Sequence, residues 1–281
     1  METQTPVGHE VLGNVVLAPA VHRLEVRAPR IAAVRRAAQF VIVRRGPGAE
    51  RIPLTVAAAD AAGGTITLIV QAVGKSTAEL TALAPGQMIH DVAGPLGRPT
   101  ELVPGGDAVV VGGGIGAAVV LPIAAALHAG GTAVTSIVGA RSQPWVILEE
   151  ELAAFGRVVV CTDDGTRGRP GLVTAALADE LAAGAAATVY AVGPVPMMRA
   201  VAELTRPLGV RTIVSLNPIM VDGTGMCGGC RVTVGGEMRF ACVDGPEFDG
   251  HAVDFDELAD RLTAYRADEA LARSRLGGGD S

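Results

Sequence analysis

At Asp107 the chain changes texture. Ala108-Val109-Val110-Val111 is an unbroken apolar run, and Gly112-Gly113-Gly114-Ile115-Gly116 follows at once, opening a helical segment that extends to Leu127. A strand that is apolar at every residue has both faces covered, which points to a parallel sheet with helices on each side. The pattern then repeats. Val134 to Val138 precedes a helix near Trp145 to Phe155, Val158 to Val160 precedes one near Gly171 to Leu181, and Val189 to Val192 precedes one near Val195 to Leu204. Buried runs alternating with helices specify an α/β architecture. Without Cβ atoms the glycine loop lets backbone approach a pyrophosphate, whose charge meets the N-terminus of the following helix. A plain tight turn has a similar composition; the strand–loop–helix setting favours the nucleotide.

Residues 1–104 read differently. Val21 to Val26 and Thr65 to Val70 alternate, and Phe40 to Val43 and Ile52 to Val56 are rich in β-branched residues. Gly46-Pro47-Gly48, Gly63-Gly64, Pro85-Gly86 and Gly94-Pro95-Leu96-Gly97 punctuate them as turns. Short strands at this spacing, with no helical period, predict a small antiparallel barrel. Residues 105–208 then form the α/β domain. Residues 209–266 hold three of the four cysteines, a hairpin (Arg231 to Val234 and Glu237 to Ala241 around Gly235-Gly236) and a closing helix from Asp254 to Arg266. Residues 267–281, ending Gly277-Gly278-Gly279-Asp280-Ser281, are expected to be a disordered tail. The fold class is thus a β-barrel plus a Rossmann-like parallel α/β domain, with a small C-terminal subdomain.

Composition narrows the function. The chain has 281 residues, 29 acidic against 23 basic side chains, and no Lys/Arg cluster, which argues against a nucleic-acid partner. Aromatics make up only 3%, too few for base-stacking or sugar platforms. The longest apolar run, Ala117 to Leu127, is short of a bilayer and contains Pro122, so no membrane span is expected. Met1 to Thr5 has neither the basic flank nor the apolar stretch of a signal peptide, which places the chain in the cytoplasm. Five scattered histidines give no Ser–His–Asp set and no metal-binding pair, so a hydrolytic reading has nothing to hold.

The cysteines say most about chemistry. Cys227, Cys230 and Cys242 fall within sixteen residues, in the setting Val221-Asp222-Gly223-Thr224-Gly225-Met226-Cys227-Gly228-Gly229-Cys230. Two thiolates separated by two residues can grip one metal, and the glycines let backbone N–H groups fold towards sulfur. Iron–sulfur and structural zinc sites normally take four ligands. Cys161 lies far back in the α/β domain, so Asp222, five positions before Cys227, is the nearest anionic candidate. The alternative is a structural zinc knuckle completed by Asp222 or His251. Glycine density and position after a cofactor domain favour a two-iron cluster held by Asp222, Cys227, Cys230 and Cys242.

Other cofactor signals stand at strand ends. Asp163 and Asp164, in Cys161-Thr162-Asp163-Asp164-Gly165, can meet ribose hydroxyls, and Gly193-Pro194 can let a nicotinamide ring lie close; solvated turns are the plain alternative for both. Arg141-Ser142 is the one place for a 2′-phosphate clamp, while the two aspartates favour NADH over NADPH. In the barrel, Arg51 and Thr55 offer a cation and a hydroxyl on one strand, and Gly74-Lys75-Ser76-Thr77 offers a second anion site before a helix. A surface arginine and a simple helix cap are the competing readings there.

With Arg51-Ile52-Pro53-Leu54-Thr55, Gly94-Pro95-Leu96-Gly97, Gly139-Ala140-Arg141-Ser142, Thr162-Asp163-Asp164-Gly165 and Asp222 to Cys230, the chain resembles the ferredoxin–NADP reductase superfamily over almost its whole length. The order barrel, nucleotide domain, C-terminal cluster resembles the electron-transfer subunits of dihydroorotate dehydrogenase. It resembles more closely the small subunits of NADH-dependent ferredoxin:NADP+ oxidoreductase, also known as sulfide dehydrogenase beta subunits. The first group is known for four cysteine ligands and the second for one Asp and three Cys, which Asp222 matches.

This resemblance implies FAD in the barrel, with Arg51 near its phosphates, Leu54 and Thr55 against the isoalloxazine, Pro53 on the same strand, and Gly74, Lys75, Ser76 and Thr77 at the pyrophosphate. It implies NAD(H), with NADP(H) as the alternative, on Gly112 to Gly116, and a [2Fe-2S] cluster. It also implies a larger flavin/iron–sulfur partner related to the small chain of glutamate synthase, ferredoxin reached through the complex, and flavin-based electron bifurcation. The activity implied is oxidation of NADH through FAD, with single electrons passed to the cluster and the partner. A zinc-stapled regulatory domain that merely binds a nucleotide is the reading of a different class. The sequence departs from the superfamily in three places: Arg51 and Thr55 stand four apart where the usual arginine–hydroxyl pair stands three apart, Ala117-Ala118 stands after the nucleotide loop where many relatives carry a small residue followed by Pro, and Val192 replaces the cysteine often found before Gly-Pro.

Overall fold

A computed structural model describes residues 8–103, 106–184 and 186–277. The expected boundary at 104/105, the Met1 to Thr5 start and the last four residues lie outside them.

The first domain is one seven-stranded antiparallel sheet: β1 (His9–Ala18), β2 (Val21–Arg27), β3 (Phe40–Arg44), β4 (Arg51–Asp60), β5 (Thr65–Gln71), β6 (Met88–Ile89) and β7 (Asp91–Leu96), in the order β6-β1-β2-β5-β4-β3-β7. The two edge strands are separated in sequence only by His90, so the chain itself carries the sheet round from one edge to the other, a near-closed barrel. Alternation in β2 places Leu24 and Val26 inside, where they meet Val41, Val43, Val56, Leu68 and Val70. Two short helices, α1 (Pro29–Val34) and α2 (Lys75–Thr81), lie in the connections. The sequence predicts Gly94-Pro95-Leu96 as a turn; instead these residues finish β7, because a Cβ on Gly94 would come within 2.8 Å of Val41 and the bare backbone lets β7 close on β3.

The second domain is a sheet of six parallel strands plus one antiparallel strand. Its elements are β8 (Ala108–Gly113), α3 (Ala117–Ala129), β9 (Val134–Ala140), α4 (Glu149–Ala153), β10 (Arg157–Thr162), β11 (Arg169–Pro170), α5 (Val173–Ala182), β12 (Thr188–Val192), α6 (Val195–Thr205) and β13 (Arg211–Ser215). Strand order is β11-β10-β9-β8-β12-β13, and β16 (Glu247–Asp249) adds antiparallel to β13. Order reverses between β8 and β12, so their C-terminal ends flank a crevice of the kind in which such sheets bind ligands. The helix expected near Trp145 to Phe155 is shorter: a 3-10 turn over Gln143–Trp145, then α4, separated by Leu148 in the left-handed region at φ 62°.

The C-terminal piece holds the cysteine loop, the hairpin β14 (Arg231–Val234) and β15 (Glu237–Phe240), and α7 (Phe255–Arg261). Gly235 and Gly236 turn the hairpin with φ of 62° and 78°, the geometry that matches strand twist. The closing helix ends at Arg261 rather than Arg266. A further helix, α8 (Arg266–Gly277), forms where a disordered tail from 267 is expected, since Ala, Leu, Glu and Arg dominate before the glycines. Among the described residues no helix is long and apolar enough to cross a membrane.

Candidate functional site

The glycine loop forms one wall of a cleft of about 460 Å³ between the two large domains. β8 reaches Gly113, the chain makes one 3-10 turn over Gly114–Gly116, and α3 begins at Ala117 with no side chain capping it. Backbone crowds out any side chain here. A Cβ on Gly112 would lie 2.9 Å from the Ala117 Cα, and one on Gly116 would collide with the Val192 carbonyl. Gly114, at φ +56°, faces open space. An uncapped helix start behind bare backbone fits the pyrophosphate of a dinucleotide.

Gly113, Gly114, Ile115, Arg141, Asp163 and Pro194 line this cleft, while Gly112, Gly116 and Gly193 allow the close packing behind it. Asp164 does not line it. Its carboxylate accepts from the Thr166 hydroxyl (2.7 Å) and backbone N–H (3.0 Å), and those bonds hold it below the usual carboxylate range. Trp145 and Met197 are among the lining residues that escaped sequence reasoning. Trp145 lies under the Arg141 guanidinium, 4.8 Å from ring centroid to carbon. It is the only Trp of the chain, four positions after the proposed clamp, and that was the available signal. Met197, in the first turn of α6, lies across Gly113 and Gly193. Val21 and Gln71 complete the cleft from the barrel side.

On the barrel, Arg51 is exposed at the start of β4, and Pro53, Leu54 and Thr55 pair with Ile42, Val41 and Phe40 of β3. Gly74 precedes α2 in extended backbone. The Thr77 hydroxyl accepts from the Val73 and Gly74 N–H groups at 3.0 Å, so the third residue of α2 ties back to the turn that starts it. Ser76 donates to the Glu50 carboxylate, which joins the start of α2 to the start of β4. The two barrel stretches singled out in the sequence therefore form one surface, with Arg51 and Lys75 as its exposed cations.

The cysteine loop is built on left-handed glycines, Gly223, Gly225 and Gly228 at φ 74°, 85° and 66°. The Asp222 carboxylate accepts from the backbone N–H groups of Thr224 (2.8 Å) and Cys227 (2.6 Å), which lower its pKa and keep it anionic. Cys230 and Cys242 are buried with their sulfurs 3.1 Å apart, and Cys227 is exposed, its sulfur accepting from the Gly229 N–H. Burial, then the neighbouring Cys230, pushes the Cys242 thiol up to about 12, so a metal must displace protons to bind. Among the described residues no three His, Cys, Asp or Glu side chains converge as a single ion requires. The donors stand instead as two pairs, Asp222 with Cys227 and Cys230 with Cys242, an arrangement that fits a two-iron group. Cys161 is apart, buried in the α/β core, and desolvation raises its pKa.

The loop rests on the barrel. A Cβ on Gly223 would meet Ile42 of β3 and Leu96 of β7, each at 2.7 Å. Ile42 pairs with Pro53, so the chain beside Asp222 packs on the strand next to the one that carries Pro53, Leu54 and Thr55.

Residues 217–254 match the iron-sulfur cluster binding domain of dihydroorotate dehydrogenase B. The chain is 43% identical, over 95% of both chains, to a Thermotoga maritima homologue of the dihydroorotate dehydrogenase B (NAD(+)) electron transfer subunit. It is 36% identical to that subunit of Bacillus caldolyticus, over 85% of this chain and 94% of the other. A chain of the NADH-dependent reduced ferredoxin-NADP oxidoreductase, solved for its bearing on flavin-based electron bifurcation, superposes with a TM-score of 0.92 at 42% identity, covering 98% and 99% of the two chains. A barrel, a parallel-sheet nucleotide domain and a cysteine loop in this order, matched end to end, make the chain a member of the dihydroorotate dehydrogenase B electron-transfer subunit family and its homologues.

Proposed function

We propose that this chain is the flavin- and iron–sulfur-bearing subunit of a complex of the NADH-dependent ferredoxin:NADP+ oxidoreductase type, oxidising NADH and passing single electrons to a larger partner. The observation that carries this reading is the packing of Gly223, the neighbour of Asp222, against Ile42 and Leu96, which supports a flavin on the Pro53–Thr55 strand close to a cluster held by the loop. Bound there, FAD would supply exchange between the electron pair of a hydride and single electrons, which a [2Fe-2S] cluster would accept one at a time. The residues do the rest. Gly112 to Gly116 receive the NADH pyrophosphate, Arg141 on Trp145 and Asp163 hold the far end, and Gly193-Pro194 with Met197 shape the nicotinamide end. Arg51, Pro53, Leu54, Thr55 and the Gly74-Lys75-Ser76-Thr77 turn hold FAD, with Thr77 acting through the turn it ties back to. Asp222, Cys227, Cys230 and Cys242 hold the cluster.

The partner we propose is a larger flavin/iron–sulfur subunit related to the small chain of glutamate synthase, with ferredoxin reached through it. Four cysteines that all stand free suit a reducing compartment such as the cytoplasm. A second reading, service to a dihydroorotate dehydrogenase, is favoured by the match of residues 217–254. Anaerobic purification from the native host tests both. Flavin, iron and acid-labile sulfide should be present, NADH should bleach the flavin and then the cluster, and a ferredoxin:NADP+ oxidoreductase large subunit should co-purify. Co-purification of a dihydroorotate-oxidising subunit supports the second reading, and a colourless protein with one zinc overturns both.

A further inference from the structure

Arg261 is the last residue of α7. Its Nη2 donates to the Gly229 carbonyl at 3.1 Å, inside the turn that joins Cys227 to Cys230. Its Nε is closed off from solvent and has no hydrogen-bond partner. Arg261 belongs to none of the ion pairs among the described residues. A half-buried guanidinium with an orphaned N–H and no carboxylate is an expensive thing to keep, and packing alone does not explain it. Asp260 and Glu257 share its helix but neither forms an ion pair with it, and the hydrogen bond it does make is to the backbone of the cysteine loop.

We infer that Arg261 is a positioning residue for the cluster, supplying fixed positive charge and a spare N–H beside the Cys227–Cys230 turn and so favouring the cluster's reduced form. The inference rests on the reading of Asp222, Cys227, Cys230 and Cys242 as ligands. Two ferric ions, two sulfides, three thiolates and a carboxylate already sum to a negative charge, and one added electron increases it. A cation held in a partly water-free setting lowers the cost of that electron, and hydrogen bonds to sulfur act in the same direction. Arginine suits the place because it stays charged when enclosed. Arg231, next to Cys230, is exposed, so solvent screens its charge.

The test uses the cofactor-loaded protein, purified anaerobically, with Arg261→Gln, Arg261→Lys and Arg231→Gln variants. Iron and sulfide content is measured, and the cluster is titrated with dithionite and followed by electron paramagnetic resonance. Arg261→Gln should keep its iron and lose about tenfold in the reduced-to-oxidised ratio at fixed potential, a midpoint ~59 mV lower. Arg261→Lys should recover most of that, and Arg231→Gln should stay within about twofold of the parent. A fully loaded Arg261→Gln protein with an unchanged midpoint overturns the inference, as does loss of the cluster from both Arg261 variants, which would make the residue structural only. Absence of iron and sulfide from the unaltered protein instead overturns the functional reading beneath it.

Discussion

Replacing Gly223 by alanine separates packing from backbone strain at the cluster loop. Gly223 sits at φ +74°, where an alanine costs about 1–2 kcal/mol of backbone strain. Its new methyl would also press on Ile42 and Leu96 at 2.7 Å, closer than real Cβ contacts allow. Ile42 belongs to a sheet strand and is almost fully buried, so the neighbours yield little, and overpacking of this kind costs roughly 1–3 kcal/mol. Gly235, at φ +62° with nothing within 4 Å of its Cβ direction, is the control: Gly235→Ala carries the strain without the collision. Thermal midpoints of the two loaded variants, at one scan rate, should therefore differ by about 2–8 °C, with Gly223→Ala the lower. Gly223→Ala should also slow cluster reduction after NADH is mixed with the protein, while Gly235→Ala leaves it unchanged. Equal midpoints and equal rates in the two variants would refute the claim that the loop is seated on the barrel through Gly223.

Three further outcomes are expected. Gly116→Ala forces a methyl into the Val192 carbonyl and should abolish bleaching of the flavin by NADH while leaving its dithionite reduction intact; stopped-flow absorbance reads both. Asp222→Cys should retain iron and sulfide but change the cluster midpoint, and an unchanged redox titration removes Asp222 from the ligand set. Burial lifts the Glu247 carboxyl, which accepts from the Thr100 hydroxyl at 3.1 Å, to about 7 from an ordinary 4.5. The folded protein therefore holds a proton there that the unfolded chain has released, so stability falls as pH rises from about 4.5 through 7. Glu247→Gln should flatten that slope in denaturation curves, and a parallel slope in the variant excludes Glu247 as its source.

Much of the architecture is legible in the residue pattern because two different periods are written side by side. The all-apolar runs at Val109, Val138 and Val189 permit only a doubly covered sheet, and the glycine loop falls at its switch point for the same reason. Strands without such a period are harder to read. β1 carries Gly13-Asn14 in mid-course, and β16 is Glu-Phe-Asp, three residues with one apolar side chain that form a strand only because β13 offers them an edge. The site shows the same division. Glycines announce close approach from composition alone, whereas the partners that make use of it, Met197 over Gly113 and Ile42 under Gly223, are fixed by tertiary contact. Asp163 and Asp164 look equivalent in sequence, and only the turn to Thr166 tells them apart. Arg261 gives no local sign at all, since its acceptor is 32 positions away.

The seating of the cysteine loop on β3 and β7 also bears on how the molecule is made. Ile42 and Gly223 meet only after most of the polypeptide has left the ribosome, and the same late segment adds β16 to the sheet and receives the Arg98 N–H at the Gly245 carbonyl. Metal insertion must then come as a terminal event in biosynthesis, onto a loop whose platform was laid down first. Nascent fragments that stop short of it leave that platform bare, the form in which quality control would meet an unfinished copy.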